Sequence, residues 1–226
     1  MTRVKFYDWK YSPFCMKVRA ILDYKGVPYE RVTPLGSTML KLRRRGKTGK
    51  VPAVEIDGEL IVDSTDIAYA LDERFPDPPL LPTDARERGL CHALEDWADE
   101  SLYFIGLYYR WFEAEGRKAI PAAFGQSLSG RALYWFYQRR ILGQVRGQGT
   151  LRKSPQHVRR DLERHLDAIE GMLAARPYLL GDRPYLCDFA LWGQLNYLNR
   201  TPVGGQAIRP RQTIGSYIVQ MKPAAE

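Results

Sequence analysis

Tyr11-Ser12-Pro13-Phe14-Cys15 lies between a short apolar run, Val4 to Tyr7, and a segment of helical period that ends at Gly26. Ser followed by Pro reads as a helix start. Ser is a preferred N-cap, and Pro suits the first turn because its missing N–H would have no intrahelical partner there. A polar side chain at a helix N-terminus faces free N–H groups and the positive end of a dipole. That setting stabilises an anion, and a thiolate is one such anion. From these residues alone Ser12 has two readings: it caps its own helix, or it also serves a thiolate.

Working outward, Phe14, Val18, Ile21 and Leu22 recur at helical spacing, and Gly26 supplies the stop. Val4 to Tyr7 reads as a first strand and Tyr29 to Val32 as a second. Leu35 to Arg45 is basic and loosely helical at best. Val51 to Ile56 and Glu59 to Val62 flank Asp57-Gly58, a two-residue hairpin signal of type I′. Asp63-Ser64-Thr65 opens a helix whose stripe is Ile67, Ala70, Leu71 and Phe75. Pro76, Pro78, Pro79 and Pro82 then mark a link. The expected division is an α/β domain over 1–77, a linker over 78–83 and an all-helical domain over 84–226.

In that second part strand signals stop. Thr83/Asp84 to Glu115 reads as one long helix. Arg117 to Gly149 reads as helical but broken by Gly125, Gly130 and Gly143. Ser154-Pro155 is a second cap-plus-Pro start, before the stripe Val158, Leu162, Leu166, Ile169 and Leu173. Asp188 to Asn199 and Gln212 to Met221 are the last two expected helices.

The 226 residues carry a formal net charge of +8. Lys41, Arg43, Arg44, Arg45, Lys47 and Lys50 crowd one decade without an acid. A solvated basic face is the commoner reading of such a run; a patch for carboxylates or phosphate is the sharper one. No nucleic-acid motif surrounds it, so no nucleic-acid partner is expected. Gly46-Lys47-Thr48 mimics the tail of a phosphate-binding loop, but Lys41 stands where that loop needs glycine. Cys15, Cys91 and Cys187 form neither a disulfide framework nor a zinc pattern. His92, His157 and His165 lack metal-ligand spacing, so no metal is expected. With no secretory signal and no apolar run of about 18 residues, a soluble protein of a reducing cytoplasm without a membrane partner is the expectation.

Taken together the residues resemble the cytosolic glutathione transferase superfamily, in its serine-type, tau-like form. Ser12-Pro13-Phe14-Cys15-Met16-Lys17-Val18-Arg19 is similar to the S-P-F-x-x-[RK]-V-R start. Gly49-Lys50-Val51-Pro52-Ala53-Val54 is similar to the G-K-V-P-x-L segment with its cis proline. Asp63-Ser64-Thr65-Asp66-Ile67 resembles E-S-x-A-I, and Gly181 to Asp188 resembles the G-x-x-x-S-x-A-D motif of the helical domain. The resemblance implies a thioredoxin-like N-terminal domain (β-α-β-α-β-β-α, a mixed four-stranded sheet), a helical-bundle C-terminal domain, a homodimer, and glutathione as co-substrate with no other cofactor.

It also implies roles. Ser12 would donate to the glutathione sulfur. Lowering a thiol pKa from ~8.5 by about two units takes about 2.7 kcal/mol. One hydrogen bond to a charged group supplies ~1.5–3 kcal/mol, and a helix N-terminus ~0.3–2 kcal/mol. Val51, before Pro52, would pair through its backbone with the cysteinyl peptide. Asp63 and Ser64 would hold the γ-glutamyl end, with Asp63 shorter than the family's usual Glu or Gln. Lys50, with Lys41 or Arg44, would meet the glycyl carboxylate. Tyr7 and Tyr11 are rivals of Ser12 for the thiol. Cys15 stands in the second position of a C-x-x-C pattern whose first cysteine is replaced, so it reads as a packed helix residue or as a redox thiol.

Tyr11, Tyr103, Leu107, Tyr108 and Trp111 are the expected wall for a small apolar electrophile or a peroxide; core packing is the other reading of such a stripe. Tyr134 to Tyr137 add an aromatic cluster. Asp188 should cap its helix, although Tyr185 replaces the Ser or Thr of the usual box. The expected activity is glutathione transfer. A non-catalytic binding or structural protein of the same fold is the alternative, and a thiol-disulfide oxidoreductase through Cys15 the third.

Overall fold

The computed structural model describes residues 2–47, 49–118, 120–125 and 127–223. Four strands, β1 (Val4–Tyr7), β2 (Tyr29–Val32), β3 (Ala53–Ile56) and β4 (Glu59–Val62), form one mixed sheet in the order β2-β1-β3-β4. β1 pairs parallel with β2 and antiparallel with β3, and β3 pairs antiparallel with β4. Strands alternate faces by two residues, which is why Val4 and Phe6 are buried while Lys5 and Tyr7 are not. Asp57 and Gly58 both have positive φ, 49° and 92°, as a type I′ hairpin turn requires.

Three helices accompany the sheet: α1 (Pro13–Tyr24), α2 (Ser37–Gly46) and α3 (Ser64–Arg74). The order β-α-β-α-β-β-α is the one expected for a thioredoxin-like domain. The basic decade is more regular than its composition suggests. It is a helix of ten residues with one buried side chain, Leu42, and it approaches β4 at Gly46, where a Cβ would lie 2.7 Å from Val62.

Register decides the location of the site. Tyr7 faces Ala53, and Ala53 faces Val62. The next residues, Asp8, Pro52 and Asp63, therefore emerge at one edge of the sheet. The Val51-Pro52 bond is cis, as the resemblance implied, and so is Asp77-Pro78.

The proline link is tied to both parts. The Lys25 ammonium, on the last turn of α1, reaches Asp72 at 2.8 Å and the carbonyls of Phe75 and Pro78 at 2.6 and 2.9 Å. Leu80 donates to Asp72 and accepts from the Leu186 N–H, each at 2.8 Å.

The helical part begins with α4 (Ala85–Trp97), which passes through a π turn (Ala98–Leu102) into α5 (Tyr103–Trp111). The expected long helix thus exists, but it ends at Trp111 rather than Glu115. Then come α6 (Ala114–Lys118), α7 (Ile120–Phe124), α8 (Leu128–Gln148), α9 (Pro155–Leu173), α10 (Leu186–Asn199), α11 (Pro202–Ile208) and α12 (Gln212–Gln220). Of the three glycines expected to break the middle segment, only Gly125 does so. Gly130 lies in the first turn of α8, where a Cβ would stand 2.2 Å from the Phe124 carbonyl oxygen. Its role is close approach, not breakage. Gly143 is accommodated mid-helix in open space. α11 lies where no helix was expected, although Thr201-Pro202 repeats the cap-plus-Pro signal and Thr201 does cap it.

α10 is apolar on nearly all sides and is buried accordingly, from Leu186 through Leu195 without interruption. It packs on both α1 and α4. Its contact with α1 is made at Gly193, where a Cβ would lie 2.7 Å from the Pro13 carbonyl oxygen and 3.4 Å from the Lys17 nitrogen. Asp188 caps this helix from its first turn, through the backbone of Tyr185. Its buried carboxylate accepts the Tyr185 N–H at 3.0 Å, the Leu179 N–H at 2.9 Å and the Tyr217 hydroxyl at 3.0 Å.

Gly193→Ala forces backbone apart rather than a flexible side chain. Overpacking of this kind costs about 1–3 kcal/mol, so the urea midpoint should fall with an unchanged slope; an unchanged midpoint would show that α1 and α10 can separate freely.

Candidate active site

Ser12 is the N-cap of α1. Its backbone is extended (φ −85°, ψ 125°), and its Oγ accepts the Cys15 N–H at 3.3 Å. The Ser12 side chain also hydrogen-bonds the Cys15 thiol. A hydroxyl that accepts at its oxygen still carries one hydrogen, which can turn from the Cys15 sulfur to a second group. Capping and donation to a thiolate are therefore compatible in one side chain.

The loop before Ser12 is fixed from below. Asp8, 2% exposed, receives Arg19 in a fork, Nη2 to Oδ1 and Oδ2 at 2.9 and 2.8 Å. The Arg31 guanidinium meets the same carboxylate. Ser12 N–H donates to the Trp9 carbonyl at 2.9 Å, and the Trp9 N–H donates to the Cys15 sulfur at 3.4 Å. Cys15 is thus a buried anchor for the loop. Burial pushes its thiol up to about 12, with the Trp9 N–H pulling the other way. A thiol so raised is protonated at neutral pH and poorly nucleophilic.

Asp63 and Ser64 occupy the N-terminus of α3. Asp63 is a non-glycine residue at φ 82°, and it caps the helix by accepting the Thr65 N–H at 2.9 Å. A positive φ there costs roughly 1–3 kcal/mol, a strain that clusters at functional sites. Ser64 is buried at the first helical position. Val51 is half-buried and Lys50 exposed in the segment just before β3. Lys41 and Arg44 are exposed on α2, whereas Arg45 is engaged with Glu55 and the Gly58 carbonyl. The edge of the sheet thus gathers Ser12, Val51-Pro52 and Asp63-Ser64, two of them at helix N-termini.

The tyrosine rivals are differently placed. Tyr7 is hydrogen-bonded to Glu55; burial and then that carboxylate raise its phenol above the ordinary value. Tyr11 is 42% exposed and packs edge-on to Trp9 at 5.9 Å. In the helical part, Tyr103 lies edge-on to Phe14 of α1 at 4.7 Å, so these rings meet above the first turn of α1. Burial, then Tyr197, raises the Tyr103 phenol. Leu107 is packed in a second small core with Val145 and Tyr197. Tyr108 leans on Tyr109, and Trp111 stacks on Tyr134 at 6.2 Å, two turns beyond Tyr103. Among the expected pocket residues, Tyr11 and Tyr103 flank the Ser12 region, and Leu107, Tyr108 and Trp111 serve packing further along.

Three residues at the site had no role assigned from the sequence, although Lys17 and Thr65 lie within the quoted motifs. The first is Lys17, buried one turn into α1. Its ammonium contacts Glu95 and Asp99 (2.7 Å) from the helical part and the Thr65 hydroxyl (3.3 Å) from α3. Thr65 also bonds Glu95, and Gln194 Nε2 bonds Asp99 at 2.9 Å. The second is Thr65 itself, which ties the Ser64 turn into this cluster. The third is Glu100 on the π turn. Burial, then Asp96, Asp99 and Asp63, raises its carboxyl, and Lys50 opposes them. A second acid thus stands near Asp63. Lys17 could have been found as a charge within the apolar arc of α1.

Within this cluster burial disfavours the Lys17 ammonium, but Asp99 and Glu95 outweigh it and its pKa is raised. Burial raises the Asp99 carboxyl against the pull of Lys17. Two carboxylates face one ammonium, so Asp99 takes a proton more readily than a free carboxyl.

A thioredoxin-like domain followed by a helical bundle, with helix N-termini converging at one sheet edge, defines a class of two-domain proteins. Residues 6–79 match the family model described as glutathione S-transferase, N-terminal domain, and residues 136–213 match the glutathione S-transferase, C-terminal domain. The chain belongs to the cytosolic glutathione S-transferase superfamily and is an enzyme of the glutathione transferase type. It is 29% identical over 227 residues to an isoprene-epoxide–glutathione S-transferase from Rhodococcus sp. (strain AD45), covering 94% of this chain and 87% of that protein. It is 28% identical over 212 residues to a maleylacetoacetate isomerase from Pseudomonas aeruginosa, covering 85% and 80%. The fold is similar to that of a beta-etherase from Sphingobium sp. strain SYK-6, with a TM-score of 0.72 at 20% identity over 96% of this chain and 94% of that one. No described helix is long and apolar enough to cross a membrane.

Lys17→Met would leave Glu95 and Asp99 buried without their cation, a change that typically costs about 3–5 kcal/mol. In the intact protein the Lys17 contribution is fully present below its ordinary pKa of 10.5 and is lost as pH rises through the raised value. In the variant the penalty should shrink on acidification, because the orphaned carboxylates take up protons. Urea denaturation of both proteins across roughly pH 5 to 9 checks this; a penalty independent of pH would refute the charge balance.

Proposed function

We propose that the protein binds glutathione at this sheet edge, holds its thiol as a thiolate beside Ser12 and adds it to a small apolar electrophile or reduces a peroxide. The observation that carries the reading is Ser12 at the N-cap of α1, its oxygen accepting the Cys15 N–H and its hydroxyl, which also bonds the Cys15 side chain, able to rotate toward a bound sulfur. Val51 offers its backbone to the cysteinyl peptide of glutathione. The γ-glutamyl carboxylate lies at the N-terminus of α3 by Ser64, and its ammonium lies near Asp63, with Glu100 as a second acid. Lys50 meets the glycyl carboxylate.

In conjugation the sulfur lone pair forms the S–C bond. The electron pair of the broken bond stays on the leaving group or epoxide oxygen, which takes a proton from water. Phe14, Tyr103 and Tyr11 form the nearest aromatic wall for the electrophile. An epoxide, the substrate class in the name of one relative, is the first electrophile to assay. A role for Cys15 has less support, because that thiol is fully buried and raised. The reading includes a homodimer, which light scattering measures, and a cytoplasmic location.

Ser12→Ala should lower kcat/KM about 10- to 100-fold, the equivalent of one hydrogen bond to a charged group. The ultraviolet titration of bound glutathione should show its thiol pKa raised. Ser12→Thr, which keeps hydroxyl and cap, should recover most of both. Circular dichroism controls for the lost cap. An unchanged thiol pKa in folded Ser12→Ala would overturn the assignment.

A further inference from the structure

The aromatic run Tyr134 to Tyr137 is divided by the period of α8. Tyr134 and Tyr137 turn inward: Tyr134 stacks on Trp111, and both rings meet Phe124 of α7, at 5.8 and 5.7 Å. Ile141 and Val145 continue that inner face at helical spacing, packed in the second small core. Trp135 and Phe136 turn outward, and each is 57% exposed. Leu133 is exposed as well, and Leu128 in the first turn is 85% exposed.

The same strip is cationic. Arg139, Arg140 and Arg146 follow the apolar residues along it, all exposed. Arg139 lies over the Trp135 ring, 4.8 Å from its centre. The chain from Gly116 to Arg160 contains no Asp or Glu. On α9, by contrast, exposed arginines are answered by acids: Arg159 pairs with Glu163 at 2.7 Å and Arg164 with Asp161 at 3.5 Å. A single exposed apolar side chain needs no explanation, but several on one helix face with no acid among them mark a binding surface.

We propose that the outer face of α8 docks reversibly on anionic lipid bilayers. Leu128, Leu133, Trp135 and Phe136 enter the headgroup layer, and Arg139, Arg140 and Arg146 meet lipid phosphates. Charge selects this occupant over a second copy of the chain. A two-fold contact through α8 would set each copy's arginines against the other's, with no acid on the helix to answer them. The exposed leucines select it over a nucleic acid, whose backbone is held by cations and whose bases need aromatic platforms. The expectation of no membrane partner rests on the lack of a long apolar run; a helix lying flat in the headgroup layer needs none.

The position gives docking a consequence. α8 packs against α5, whose Tyr103 meets Phe14 above the first turn of α1. A docked α8 holds that aromatic wall close to the bilayer, where small apolar electrophiles concentrate. This consequence rests on the proposed glutathione chemistry; the docking does not.

The test is co-sedimentation of the full chain with sucrose-loaded vesicles. Vesicles of equimolar phosphatidylcholine and phosphatidylglycerol should carry the protein down, and phosphatidylcholine alone should bind it at least about tenfold less. Trp135→Ser/Phe136→Ser and Arg139→Glu/Arg140→Glu should each weaken binding about tenfold or more. Thermal midpoint and molar mass by light scattering should stay unchanged in both, because these side chains are exposed. Arg43→Glu on α2, the other basic face, should leave binding unaltered. Trp135→Phe should still bind yet lose most of the blue shift that wild-type tryptophan emission shows on vesicle addition, a readout independent of whether the harsher variants fold. No sedimentation with anionic vesicles, undiminished binding by folded Trp135→Ser/Phe136→Ser, or loss of binding on Arg43→Glu would overturn the proposal. So would a fall in molar mass of Trp135→Ser/Phe136→Ser, which would make this face a contact between copies, or retention on single-stranded RNA without retention on vesicles.

Discussion

A single buried ammonium holds the two parts of this protein in register. Lys17 stands on α1, and its partners stand on α3, α4 and the π turn that follows α4. Taking an ammonium out of water costs several kcal/mol, and pairing offsets that cost only when the geometry is good and the remaining groups are bonded. Both conditions are largely met, since Thr65 and Gln194 complete the shell. Such a cluster contributes less to net stability than to uniqueness of arrangement. An alternative docking of the helical bundle would strand two carboxylates or one ammonium in the core.

That constraint reaches the candidate site through short paths. Lys17 is one turn along from the Ser12 cap, and Thr65 is next to Ser64. The helix N-termini that would face glutathione are thus fixed by the same ion cluster that fixes the bundle. Gly193 works in the same direction, because only a glycine lets α10 approach the Pro13 carbonyl this closely. The loop between β1 and α1 has its own support from Asp8, Arg19 and the Cys15 sulfur. Cys15, conspicuous as the remnant of a two-cysteine motif, acts here as a hydrogen-bond acceptor in a closed core.

Much of this was legible in the residues and their spacing. Ser12-Pro13, Asp63-Ser64 and Ser154-Pro155 all begin helices where capping chemistry placed them. The stripe from Val158 to Leu173 is buried at all five expected positions. Asp57-Gly58 turns as its positive-φ residues require. The misreadings have physical causes. Gly130 and Gly143 looked like breakers because glycine weakens a helix, but one is demanded by close approach and the other is tolerated by its neighbours. The basic helix α2 was undervalued because most of its residues face water and leave little apolar period to read. The aromatic run of α5 looked like one pocket wall, yet Leu107 and Trp111 turn to other packing.

The sequence by itself determined most of the elements, their order and the family, because caps, turns and periodicity act over a few residues. Only the tertiary structure decided the ion cluster around Lys17. The acids that meet Lys17 lie 78 and 82 residues away in the chain. Nothing local distinguishes them among its 26 acidic residues. Their partnership is set by how α4 and α10 cross α1, a matter of long-range packing that no short stretch of residues encodes.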